Sequence, residues 1–82
     1  MPVWTEDIAA CSLEEVLRSQ AENRAWNKEL RLKKINLVNS RLAKRISPDE
    51  YALSRQAAHD EAAECKRRAA ILFAELANRT RK

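Results

Sequence analysis

Side chains able to do chemistry are few in this chain, and they are scattered. One histidine, His59, is followed by Asp60, two cysteines stand far apart at Cys11 and Cys65, and 12 carboxylates lie among 16 lysines and arginines. A di-metal site inside a helical bundle needs Glu-x-x-His pairs, but the residue three before His59 is Gln56. A nucleophilic serine needs an adjacent base. Ser12, Ser19, Ser40, Ser47 and Ser54 have only His59 to share, and each has a helix or capping explanation. The sequence therefore predicts no catalytic residue, no metal, no cofactor and no small-molecule substrate.

The elements that carry these residues are helices. Glycine is absent, the prolines sit only at Pro2 and Pro48, and 34% of residues are charged, a composition that favours long helices over sheet. Ile46-Ser47-Pro48-Asp49-Glu50-Tyr51 reads as a helix start: a Ser/Glu capping box, proline at the first helical position and an Ile46/Tyr51 staple. Ser12 with Glu15, and Cys11 with Val16, repeat that pattern upstream. The prediction is an all-α antiparallel hairpin over 12–82. Helix one spans about 13–45, the turn 46–48 and helix two about 48–78, with an entry segment at 1–11 in which Trp4 is apolar and Thr5-Glu6-Asp7 caps a short turn. Asn36, Asn39 and Ser40 mark the place where helix one is most prone to bend.

Helix two carries a heptad seam of Tyr51, Ala58, Cys65 and Leu72, interleaved by Arg55, Ala62, Ala69 and Leu76. On helix one, Leu13, Val16 and Leu17 share a face with Ile35, Val38, Leu42 and Ile46. Trp26, Leu30 and Leu37 make a second stripe displaced from it, and one partner helix cannot cover both. Helix two likewise has a second face of Ala52, Ala63, Ala70 and Ala77. Two hairpins packed about a two-fold axis would cover both surplus stripes, so the expectation is a homodimeric four-helix bundle joined through Trp26, Leu30, Leu37, Ala63 and Ala70.

Such bundles include the dimerisation domains of sensor kinases, but the basic residue and proline that follow a phospho-accepting histidine are absent here. Glu61-Ala62-Ala63-Glu64 stands in their place. Along a hairpin rising about 1.5 Å per residue, Cys65 lies roughly 27 Å from the turn and Cys11 roughly 54 Å. The two thiols are expected to be free.

Charge alternates in blocks: −4 over residues 1–23, +7 over 24–45, −4 over 46–64 and +5 over 65–82. Folding at Ser47 sets unlike blocks side by side, with Lys33 and Lys34 opposite Glu61 and Asp60, and Glu14 and Glu15 near Arg79 and Arg81. The turn-proximal half keeps an excess of positive charge. Arg31, Lys33, Lys34, Arg41, Lys44, Arg45 and Arg55 are the candidates for phosphate contact if the partner is a nucleic acid. No apolar run approaches a membrane span, no basic leader precedes the acidic start, and the expected compartment is the cytoplasm. The leading expectation is a non-enzymatic regulatory or adaptor module that works through protein contacts, with a nucleic-acid-binding regulator as the alternative.

Overall fold

A computed structural model describes residues 2–81, which form a short 3-10 turn (Ile8–Ala10), helix α1 (Leu13–Leu42) and helix α2 (Pro48–Thr80). The helices lie antiparallel in a rod 55 Å long. There is no strand among the described residues.

The helix starts follow from their caps. Ser12 Oγ accepts the Glu15 N–H at 3.2 Å, and Glu15 Oε1 accepts the Ser12 N–H at 3.4 Å. At the second start Ser47 Oγ accepts the Glu50 N–H at 3.1 Å with Pro48 at the first helical position. The return bond from Ser47 to the Glu50 carboxylate, expected from the sequence, does not form.

Helix α1 runs unbroken through Asn36 and Asn39 and stops at Leu42, short of the expected Arg45. Lys44 adopts the left-handed region at φ 57°, and this lets its N–H reach the Arg41 carbonyl while Arg45 N–H reaches that of Ser40. These two bonds make the Schellman closure, for which the sequence offers no glycine. Helix α2 continues to Thr80, beyond the expected Asn78. Its last turn is tied down by Arg79, which bonds Glu75 Oε1 at 2.8 Å and donates to the carbonyls of Ile8 and Cys11.

The inward face of α2 is the predicted row Tyr51, Ala58, Cys65 and Leu72, of which the last three are buried. The second inward row lies three residues after each of these, and not four. Arg68 is buried while Arg55 and Ala69 are exposed.

On α1 the predicted phase is corrected. The buried row is Val16, Asn23, Trp26 and Leu30, and Ile35, Val38 and Leu42 lie exposed. Val16, Asn23, Leu30 and Leu37 recur every seven residues, matching the period of the α2 row. Asn23 locks the register: its Nδ2 donates to the Cys65 carbonyl at 3.2 Å, and the Cys65 thiol lies 3.6 Å from both Asn23 oxygens. This phase also buries the large indole of Trp26, worth more than the smaller side chains left outside.

The entry segment is a strap, not a loose lead-in. Ile8 packs with Val16 and Leu72, and Trp4, Cys11, Ile71 and Leu76 close around them. Both thiols are free, as expected, with Cys65 buried and Cys11 half-buried.

Candidate interaction surface

With one heptad row of each helix facing the other, the hairpin has two flanks. On one flank, Glu15, Glu22 and Glu29 of α1 share a heptad row, and α2 contributes Glu50, Asp60 and Glu64. Lys33 points this way and pairs with Glu61 at 3.8 Å, as the charge blocks predict. The other expected pairs are replaced: Glu14 meets Arg18, and Arg79 meets Glu75. Those partners lie one turn away on the same helix, whereas pairing across the hairpin would compete with the strap's carbonyls for Arg79.

At the open end the strap covers this acidic flank. Arg68 holds it from below: its guanidinium carbon lies 5.1 Å from the ring centroids of both Trp4 and Trp26. Arg68 also donates to the Pro2 carbonyl at 2.9 Å and to Glu64 Oε1 at 3.0 Å. Arg67 grips the same carboxylate through two bonds, at 2.6 and 2.8 Å, and reaches Glu6 of the strap at 3.2 Å. The hydrogen bonds from Arg67 and then Arg68 hold the Glu64 carboxyl down at about 2. The Arg67 guanidinium is correspondingly held more firmly protonated, and burial pushes the Cys65 thiol up. The indole N–H of Trp4 is buried without a partner. This cluster is a structural clasp, because all its charged groups are satisfied by one another.

The opposite flank is built differently. On α1 it consists of the rows Leu17-Arg24-Arg31-Val38 and Leu13-Gln20-Asn27-Lys34-Arg41; on α2, of Arg55-Ala62-Ala69-Leu76 and His59-Lys66-Phe73. Two clefts confirm that these rows face the same side. Lys34 and Val38 line one, of about 280 Å³, with Arg55 and His59. Gln20 and Arg24 line the other, of about 430 Å³, with Lys66, Ala70 and Phe73. No Asp or Glu occurs in any of these rows, so Arg24, Arg31, Lys34, Arg41, Arg55 and Lys66 have no anionic neighbour within their own flank. Phe73 is 71% exposed, and Leu13, Leu17 and Val38 are also exposed. Just outside the α1 rows, Ile35 and Leu42 add to the apolar surface.

The residues singled out from the sequence are therefore divided. Trp26 and Leu30 are buried inside a single hairpin and are not on its surface, which corrects their assignment to an interface between copies. The Trp26 indole is spent on Arg68 and Cys65. Leu37 is half-buried and lines the cleft with Tyr51. Ala70 lies at the edge of the basic flank beside Phe73, and Ala63 is exposed on the outer side of α2. Of the basic candidates, Arg31, Lys34, Arg41 and Arg55 converge on one flank, Lys33 faces the other, and Lys44 and Arg45 sit in the connection. The sequence reading missed Phe73, Arg24 and Lys66 as members of this surface. The available signal was the heptad period: Arg24 stands seven residues before Arg31, and Lys66 and Phe73 stand seven and fourteen after His59.

Among the described residues, no group of three or more His, Cys, Asp or Glu side chains could hold a metal ion, and no helix is long and apolar enough to cross a membrane. No family model, no curated protein and no solved structure matches this chain.

Proposed function

We propose that the protein is a non-enzymatic helical interaction module that works by binding another protein on its acid-free flank. One observation carries this reading: after the hairpin has closed its own seam and strapped its open end, the flank without carboxylates still exposes Leu13, Leu17, Val38 and Phe73 among its cations, with Leu32 and Leu53 exposed outside its rows. Apolar side chains exposed at both ends of a flank, with uncompensated cations between them, give a partner both anchors and charge to recognise. A homodimeric four-helix bundle built through Trp26 and Leu30 has lost its anchors, because those side chains are already used within one chain. Pairing two copies through their basic flanks would bring like charges together, which costs stability.

Photo-crosslinking amino acids placed at Val38 and Phe73, with Glu22 as the control on the other flank, test the proposal in the cells that make the protein. The expected result is a crosslink to a different protein from Val38 and Phe73 and none from Glu22. Crosslinks only to a second copy would replace the module with a self-assembling bundle, and crosslinks only to RNA or DNA would favour the nucleic-acid regulator.

A further inference from the structure

We infer that the occupant of the basic flank is a single acidic amphipathic helix, laid along the groove between α1 and α2 to complete a three-helix bundle. This inference rests on the reading of the chain as a protein-binding module and adds the chemistry of the partner. Three features of the flank select it.

Charge is the first. Arg24, Arg31, Lys34, Arg41, Arg55 and Lys66 stand on rows with no carboxylate, although the whole chain holds 12 Asp and Glu. A partner that supplies carboxylates there gains attraction at every row and finds nothing to repel it. The acidic flank of the same hairpin would reject such a partner, so the charge pattern also chooses the side.

The floor of the groove is the second. Ala62 and Ala69 line the α2 edge, where a large side chain would hold a neighbour off. Small residues let a helix approach toward the near end of the usual 8–10 Å interaxial range, about 8 Å.

The third is the placing of the apolar anchors. Leu17 and Phe73 lie toward the open end and Val38 toward the turn, with Arg24 and Arg31 between. The rise from Leu17 to Val38 is roughly 32 Å, which fits a helix of about 21 residues with apolar residues at both ends and Asp or Glu between. A phosphate backbone would use the cations and leave Leu17, Val38 and Phe73 wet. A bilayer surface would not fill the cleft between the two helices.

The test uses two synthetic 22-residue helical peptides that share one leucine stripe and differ in the flanking residues, glutamate in one and lysine in the other. Each is titrated with the full chain by fluorescence anisotropy. The glutamate peptide should bind and the lysine peptide should not. Affinity of the wild-type chain for the glutamate peptide should fall at least tenfold between 50 and 300 mM salt. It should also fall at least tenfold in Arg24→Glu plus Arg31→Glu, and stay unchanged in Lys33→Glu on the other flank. The salt series needs no variant, so it holds even if the double substitution unfolds the chain.

Equal binding of the two peptides, no binding of either, or stronger retention at 150 mM salt on single-stranded RNA or on phosphatidylglycerol vesicles would overturn the inference. So would a mass that grows with protein concentration, since the acidic flank of another copy would then be the occupant. A native protein crosslinked at Phe73 together with indifference to the glutamate peptide would remove the acidic helix and leave the interaction module standing.

Discussion

The two ends of this hairpin are made from the same pair of helices, yet only one of them has a core. At the open end Val16, Leu72 and Ile8 are sealed beneath Trp4 and Cys11, and Trp26, Leu30 and Cys65 continue the packing inward. From Arg31 round the connection to Ala57, no residue is fully buried. The difference is the strap. Two helices touch along one line and leave the sides of that line open, so a large side chain on it keeps some exposure unless a further segment covers it. The entry segment supplies that cover at one end, and no described segment supplies it at the other. Small domains are marginal for this reason. The end without a strap leaves Ile35, Val38, Leu42 and Leu53 exposed.

The largest effect should come from truncating equivalent leucines at the two ends. Leu72 is 1% exposed and Leu42 is 76% exposed. Leu72→Ala should cost about 2–5 kcal/mol, as for other fully buried leucines, and Leu42→Ala should stay within about 0.5 kcal/mol. Urea unfolding followed by circular dichroism measures both. A large loss from Leu42→Ala would break the comparison, because it would mean that the turn end is covered in solution.

How far the sequence discloses this structure depends on which residues carried the signal. The helix starts were legible because capping is local: Ser12 and Ser47 need only the backbone three residues on. The α2 seam was legible because its heptad row is apolar throughout. The α1 seam was misread because one of its inward positions is occupied by Asn23, and a polar residue breaks an apolar pattern even when it faces inward. Asn23 is tolerated there because the Cys65 carbonyl, 42 residues away, satisfies it. Arg68 was missed for the same reason: its burial depends on two tryptophans, one of them in the strap. Contacts of such long range have no periodicity to announce them. The basic flank falls between these cases. Its charge was visible as an excess on residues 24–45, but its freedom from acid appears only once both helices are in phase.

An effect of intermediate size lies in the connection, at the end without a strap. Lys44 holds φ 57° to close α1, a conformation that costs a residue with a Cβ roughly 1 kcal/mol and glycine nothing. Lys44→Gly should therefore raise stability, by about 0.5–1 kcal/mol after allowing for the greater freedom of glycine in the unfolded chain. The urea midpoint should move up with no change in slope. A lower midpoint would show that the Lys44 side chain is itself bound to something at the turn, and the bare end would then need another description.

The smallest effect concerns the clasp at the strapped end and is seen best as a function of pH. Arg67 and Arg68 lower the Glu64 carboxyl from 4.5 to about 2, so the folded chain favours the ionised form more than the unfolded chain does. Stability from this group is fully present above about pH 4.5 and disappears as the pH falls through the folded-state value near 2. Glu64 is partly open to solvent, and screening keeps the effect modest. Other carboxylates also titrate in this range, so the useful quantity is the difference in urea midpoint between the wild-type chain and Glu64→Gln. That difference should be constant above pH 5 and shrink toward zero near pH 2. No difference at any pH would mean that the clasp is held by Arg68 between its two tryptophans alone. The strap would then owe its position to cation–π contact and packing, with the carboxylate a bystander.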